Sequence, residues 1–370
     1  MLRFAILAAV VGSYVSLRFC GNSRQSLLLL ISSVVEFRPI LPVCDENDGG
    51  KAPRLPLNDG NSIPALGLGT FLGFDEHGLK EVKPGDTELP ASWALDAGYR
   101  LIDTASIYNN QDQIGAAVRK SGIPRENVFI VSKLGTNEQR TVIPALQKTL
   151  AQLNMSYVDL YLIHFPIAFK PDLSGYDVVD YLDTWKSMEE AKKMGLTKSI
   201  GICNFNISQM ERLLANCEIK PAVLQVEVNL NMAQNKILHF AKENNIQVMA
   251  YSPLGSLFSK SSTPPPPRAD HPTLLNLGKK YGKSAPQIAL KYLVQRGVVP
   301  IPKSTKKERI EMNIDIFDFE LTSEEMDTLS KFNKDYRVVW PTFWQDHPYY
   351  PFEKKDVPDP DPFEGGGLDV

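Results

Sequence analysis

Between residues 65 and 303, short apolar runs alternate with longer stretches whose apolar positions recur every three or four residues. The runs are Ala65 to Thr70, Leu101 to Ala105, Phe129 to Lys133, Asp159 to His164, Ser199 to Asn204, Val223 to Glu227, Gln247 to Ser252 and Val298 to Lys303. They are rich in Val, Ile and Leu, as strands buried on both faces are. The intervening pattern predicts helices over Gln113 to Lys120, Arg140 to Leu153, Val179 to Met194, Ser208 to Ala215, Asn235 to Asn244 and Ala285 to Arg296, with Pro286 tolerated in a first turn. Strand followed by helix argues for a parallel sheet with helices outside. Eight such units favour closure into an α/β (β/α)8 TIM barrel.

The ends of the runs are polar or reactive: Thr70, Asp103, Lys133, His164, Asn204, Gln225, Ser252 and Lys303. In a parallel barrel all strand C-termini open on one face, where such enzymes place their chemistry. Ahead of the first run, Arg54 to Leu57 and Ser62 to Pro64 flank Asn58-Asp59-Gly60, which predicts a hairpin able to plug the opposite face. After the seventh run, four prolines, Pro264 to Pro267, form a semi-rigid connector, either a spacer or a strap over a bound cofactor. Thr322 to Glu325 forms a capping box for a late helix.

The flanks read differently. Met1-Leu2-Arg3 precedes the apolar run Phe4 to Val15, and small residues follow, a secretory signal pattern. Neither this run nor Leu27 to Val35 reaches the roughly 18 residues of a spanning helix. The expected organisation is a leader and linker over residues 1–53, a barrel over 54–353 and a disordered Pro-, Asp- and Gly-rich tail over 354–370. The expected location is therefore secreted, or cytoplasmic if the N-terminus is not a signal. Asn154-Met155-Ser156 and Asn206-Ile207-Ser208 are glycosylation sequons for a secreted chain.

A net charge of −3 on 370 residues, with Lys and Arg scattered, gives nucleic-acid binding little support. The expected partner is a small molecule, and the expected form a monomer. The cysteines are too few for a disulfide framework, and Cys203 and Cys217 read as unpaired thiols. No metal-ligand spacing occurs among the histidines and cysteines. A Rossmann dehydrogenase fails on Gly67-Leu68-Gly69, because Gly73 comes one residue late and no helix start follows.

Three patterns occur in order: Gly98 to Ala105 with Tyr108 five residues after Asp103, Asp159 to Pro166, and Ile301-Pro302-Lys303-Ser304 with Arg309. From about Pro56 to Phe352 the chain resembles the aldo-keto reductases. The chemistry makes sense of these residues. Hydride transfer to a carbonyl builds negative charge on its oxygen, which a proton donor and hydrogen bonds must meet. Tyr108 is the expected donor, Lys133 is expected to lower its pKa, Asp103 to hold Lys133, and His164 to hydrogen-bond the substrate oxygen.

The resemblance also implies that Tyr251 stacks on a nicotinamide, that Asn204 and Gln225 hold its carboxamide, and that Ser252, Leu254 and Ser256 line the pyrophosphate. Thr305 to Glu308 reads as a capping box, and helix N-termini attract phosphate. With Lys303, Ser304 and Arg309 beside it, a 2′-phosphate is accommodated and NADPH is favoured. Asn313 fits the family's adenine contact, and Thr70 and Cys203, on the same face, are expected among the cofactor-binding residues. Cys203 replaces the family's usual serine, Gln111 a common glutamate, and Met312 an adenine-binding glutamate. Retention of His164 argues for carbonyl rather than carbon–carbon double-bond reduction.

Phe71, Phe165, Trp340, Phe343 and Trp344, the last three on a C-terminal substrate loop, would line an apolar pocket for a bulky hydrophobic carbonyl. Gly69 to Glu76 and Phe165 resemble the branch that reduces 3-oxo-ecdysteroids. A general aldehyde reductase and a catalytically silent nicotinamide carrier are the alternatives.

Overall fold

The structure, a computed structural model, describes residues 48–75 and 78–356. The apolar leader, with Cys20 and Cys44, and all of the tail beyond residue 356 lie outside the described residues.

Eight parallel strands follow one another around the sheet: Leu68–Gly69, Leu101–Asp103, Phe129–Leu134, Val158–Ile163, Thr197–Cys203, Val223–Glu227, Gln247–Tyr251 and Val298–Pro300. The first and eighth meet through Gly67 N–H to Pro300 O and Gly69 N–H to Pro302 O, both 3.1 Å, with a parallel bridge between Gly69 and Lys303. These two strands are shorter than their apolar runs because Pro300 and Pro302 have no N–H to return to the ladder. Gly69 is required at this seam: a Cβ there would lie 2.7 Å from the Ile301 carbonyl oxygen.

Side chains alternate along each strand, and two cores result. Leu101, Phe129, Val131, Leu160, Leu162, Val223, Met249, Val299 and Ile301 fill the barrel with hairpin residues Leu57 and Ile63. Their neighbours of opposite parity, among them Ile102, Ile130, Tyr161, Ile200, Leu224 and Val248, pack outward in the cluster that includes the helices.

The predicted helices form with ends shifted by one or two residues: Gln111–Lys120, Val142–Leu153, Tyr181–Lys193, Ile207–Leu214, Asn235–Glu243 and Ala285–Gln295. Asn206 caps the fourth of these, its side chain accepting from Gln209 N–H at 2.9 Å and donating to Pro351 O at 3.3 Å. That sequon is thus engaged in the fold, whereas Asn154 is exposed at the end of Val142–Leu153. The Thr322 capping box is present. Helices Glu88–Asp96 and Pro272–Tyr281 were not read from the pattern. The first carries Pro90 in its opening turns and the second begins at Pro272, so proline obscured both.

The hairpin Arg54–Pro56 with Ser62–Pro64 sits against the strand starts. Asn61 Nδ2 donates to Lys198 O at 3.1 Å and Ser199 Oγ at 3.0 Å, and Asn58 Nδ2 to Pro221 O at 2.9 Å. Packing begins ahead of it, since Arg100 donates to Asp48 O at 2.8 Å and to Gly49 O at 3.0 Å. Cys203 is buried and Cys217 half-buried, both unpaired. No helix among the described residues is long and apolar enough to cross a membrane.

Candidate active site

The parity that fills the barrel also aims the chemistry. Asp103 lies two residues beyond inward Leu101, Lys133 beyond Val131, His164 beyond Leu162, Gln225 beyond Val223 and Tyr251 beyond Met249. Each side chain therefore projects over the open end of the barrel. Asn204 and Ser252 have the other parity, and both adopt left-handed backbone, φ 62 and 44. Such conformations cost roughly 1–3 kcal/mol each in non-glycine residues and concentrate at functional sites.

Lys133 is completely buried and uses all three ammonium protons. They go to Asp103 Oδ1 at 2.6 Å, Thr104 O at 3.0 Å and the Tyr108 hydroxyl at 3.3 Å. Asp103 takes a second donor, Gln225 Nε2, on Oδ2 at 2.8 Å. Burial pushes the Asp103 carboxyl up while Lys133 and Gln225 pull it back. Burial acts to lower Lys133, but Asp103, Tyr108 and Cys203 outweigh it and the ammonium is held above its ordinary range.

Tyr108 closes the short helical turn Ser106–Tyr108 that leaves the second strand. Buried Asn110 braces this turn: Nδ2 donates to Thr70 O at 3.0 Å and Oδ1 accepts from Thr104 Oγ1 at 2.6 Å. Burial pushes the phenol up to about 12, with Lys133 acting in the opposite direction. The expected net lowering is therefore corrected: the ammonium acts with the expected sign, but desolvation is larger. His164 lies well below the ordinary histidine value, from burial and then from Lys133, so its imidazole is neutral at pH 7. Its ring centroid is 5.8 Å from that of Tyr108.

Aromatic groups surround this pair. Phe71 lies 4.9 Å from the Tyr108 ring, Phe165 stacks 5.3 Å from His164, and Trp344 meets Phe165 edge-on at 5.0 Å with Phe343 4.9 Å behind it. Trp340 is placed differently, donating to Glu353 O at 3.1 Å and lying 3.8 Å under Lys355 Nζ. Phe352, absent from the sequence-predicted set, reaches Phe165 at 6.5 Å.

On the other side, the Tyr251 hydroxyl donates to Asn204 Oδ1 at 2.8 Å. Asn204 Nδ2 donates to His164 O and contacts Cys203 Sγ, both at 3.1 Å. Gln225 faces Asp103, so its amide braces the acid–base group as well as standing beside Cys203. Ser256 is buried with its hydroxyl on Asn231 Oδ1 at 2.6 Å and Pro265 O at 3.2 Å, which anchors the proline connector. Asn229 Nδ2 donates to Ser252 O at 3.3 Å, and Leu254 is half-buried beside it. Thr70 is buried with its hydroxyl on Asp103 O at 2.8 Å.

At the seam, burial and then the charges of Lys80 and Arg309 push the Lys303 ammonium down. Arg309 is exposed and lies over the Phe258 ring at 5.7 Å. Asn313 is buried on the same helix, Lys307–Ile314. The capping box expected at Thr305 does not form. The helix starts at Lys307, one residue later than that box would place it, with Lys306 as its unassisted cap, and Ser304 Oγ instead accepts from Lys306 N–H at 3.1 Å.

Sequence reasoning missed Asn110, Thr104 and Phe352. Asn110 did carry a signal, as a capping residue type immediately before the helix that opens at Gln111. Thr104 acts through its backbone carbonyl, which residue type cannot announce.

Residues 65–334 match the aldo/keto reductase family. An aldo-keto reductase of Bombyx mori, AKR2E4, is 46% identical over 310 residues, spanning 81% of this chain and 99% of that protein. The mouse estradiol 17 beta-dehydrogenase 5 is 40% identical over 322 residues, 82% of this chain and 98% of the relative. The crystal structure of AKR2E4 in complex with NADP superposes with a TM-score of 0.77 at 45% identity, covering 81% of this chain and 99% of that one. Silkworm AKR2E5 complexed with NADPH gives 0.80 at 40% identity, covering 84% and 97%. The fold, the Asp103–Lys133–Tyr108 chain beside His164 and these likenesses agree that the chain belongs to the aldo/keto reductase family.

Proposed function

We propose that this protein uses NADPH to reduce a ketone or aldehyde carbonyl to an alcohol, and that the preferred carbonyl is bulky and hydrophobic. The carrying observation is the fully buried Lys133, which joins the Asp103 carboxylate to the Tyr108 hydroxyl next to a neutral histidine. The cofactor fits the charge at the seam: Lys303 is pushed down first by burial and then by the nearby charges of Lys80 and Arg309, and a phosphate dianion relieves that repulsion. Lys303, Ser304 and Arg309 would hold that phosphate, with Tyr251 and Asn204 beside the nicotinamide.

Bound NADPH supplies a hydride to the carbonyl carbon. Tyr108 keeps its proton at neutral pH, because burial holds the phenol at about 12, and delivers that proton to the carbonyl oxygen. Lys133, fixed by Asp103, then faces the phenolate at hydrogen-bond distance. Neutral His164 donates a hydrogen bond to the same oxygen during the transfer. Carbon gains the hydride and oxygen the proton, so C=O becomes CH–OH.

The aromatic wall of Phe71, Phe165, Phe343 and Trp344 supports a large apolar substrate. The Gly69 to Glu76 sequence and Phe165 support a 3-oxo-ecdysteroid in particular, and a relative named for estradiol points to the same size class. In competition, 3-dehydroecdysone is expected to outpace an aromatic aldehyde in kcat/KM; the reverse order favours a general aldehyde reductase. The apolar N-terminal run supports secretion, checked by sequencing the N-terminus of the mature protein. Tyr108→Phe is expected to lower kcat by about 10²-fold or more while NADPH affinity holds. A variant retaining most of its rate overturns the proton-donor role.

A further inference from the structure

One completely buried carboxylate takes no part in this chemistry. Glu227 ends the sixth strand, two residues beyond Gln225, so both point over the same open end. Gln225 holds the tetrad. Glu227 holds the C-terminal loop: Oε1 accepts from Val338 N–H at 2.7 Å and Asn229 Nδ2 at 3.1 Å, and Oε2 from Val339 N–H at 2.9 Å.

A buried carboxylate bonded to two consecutive main-chain amides is a stiff attachment, because those bonds are charge-assisted and no water competes. The attached residues lead directly into the substrate wall. The guanidinium of Arg337, which is itself buried, lies 4.3 Å over the Phe352 ring, Phe352 meets Phe165 at 6.5 Å, and Phe165 stacks on His164 at 5.3 Å. Next to Glu227, the Asn229–Asn231 turn binds the rest of the rim. Asn231 Nδ2 donates to Pro266 O at 2.7 Å, and Asn231 O accepts from Lys334 and Tyr336 N–H at 3.1 and 3.0 Å. One strand end therefore braces the tetrad through Gln225 and locates the aromatic loop through Glu227.

We propose that Glu227 is a positioning residue that sets substrate specificity, by fixing the height of the C-terminal aromatic loop above Tyr108 and His164. The proposal rests on the reading of a bulky hydrophobic substrate. Substrates differ in how much they need the loop: a large carbonyl is held by that wall, a short aliphatic aldehyde chiefly by the oxygen contacts of Tyr108 and His164.

The test uses the purified full chain with NADPH, wild type and Glu227→Gln, which keeps the shape but replaces one acceptor by a donor. Kinetics are measured on a 3-oxo-steroid and on propanal, NADPH affinity by fluorescence quenching, and amide exchange at Val338 and Val339 by mass spectrometry. Expected are a rise of about tenfold or more in KM for the steroid, a change within about threefold in kcat/KM for propanal, unchanged NADPH affinity and faster exchange at both amides. Arg337→Ala, which leaves the carboxylate and its two amides in place, is expected to give the same substrate split and serves if Glu227→Gln fails to fold. Equal losses on both carbonyls, or unchanged steroid KM with unchanged exchange, overturn the proposal. A wild type that reduces neither carbonyl contradicts the functional reading instead, while the exchange result still judges the attachment.

Discussion

Where the strands begin, the barrel interior is closed by Leu57 and Ile63 of the hairpin against Leu101, Phe129 and Leu160. Where they finish, the same inward positions hold Asp103, Lys133, His164 and Gln225. Both ends obey one alternation, so no change of backbone is needed to pass from core to catalyst. The teaching is that depth along the strand decides the chemistry, and that each end fails in its own way. Apolar contacts at the closed end determine whether the barrel stands, while ion–dipole contacts at the open end determine what it does.

The sharpest way to break this comparison is Ile63→Ala. The side chain is fully buried, and its truncation is expected to cost about 2–5 kcal/mol in urea unfolding with kcat unchanged. A fall in kcat under folding conditions would show that the two ends are not separable. A smaller effect is expected at the open end from Arg309→Ala, an exposed residue. If Arg309 pairs with the 2′-phosphate as proposed, its removal is expected to weaken NADPH about tenfold and NADH within about twofold. Equal weakening of both would detach Arg309 from the 2′-phosphate.

The smallest effect belongs to the hairpin ion pair, Lys192 Nζ to Asp59 Oδ2 at 2.5 Å. Burial pushes the Asp59 carboxyl up, but hydrogen bonds from Lys192 and Ser199 outweigh it and hold the group below its ordinary 3.8. A lowered folded-state value stabilises above the unfolded value, and the benefit is lost as pH falls through the folded one. Asp59→Asn is thus expected to cost about 0.2–1 kcal/mol at pH 7, with the gap to wild type closing in acid below about pH 4. A gap that persists in acid would assign the loss to packing.

Much of this was legible in the chain because a period-two strand advertises its inward face. Val131 and Lys133, or Leu162 and His164, are read off by counting. What escaped was set by partners distant in sequence. The phenol of Tyr108 was expected to fall under the influence of Lys133, but desolvation depends on how completely the loops close over it. Gln225 is expected only at the nicotinamide carboxamide, because nothing in residue type tells that Asp103, 122 residues away, lies within reach. The Thr305 box failed because Ser304 supplied the turn bond first. Trp340 is grouped with the pocket on composition, and composition does not announce its contacts with Lys355 and the Glu353 carbonyl.

The seam of the barrel has a consequence for how it is observed. Across it Gly67 and Gly69 donate to the carbonyls of Pro300 and Pro302, and neither proline carries an amide hydrogen to return. The exchangeable protons of these two bonds both come from the first strand. The two glycines are thus natural isotope reporters: hydrogen exchange at their amides times the opening and reclosing of the cylinder itself, with no label attached and no side chain altered.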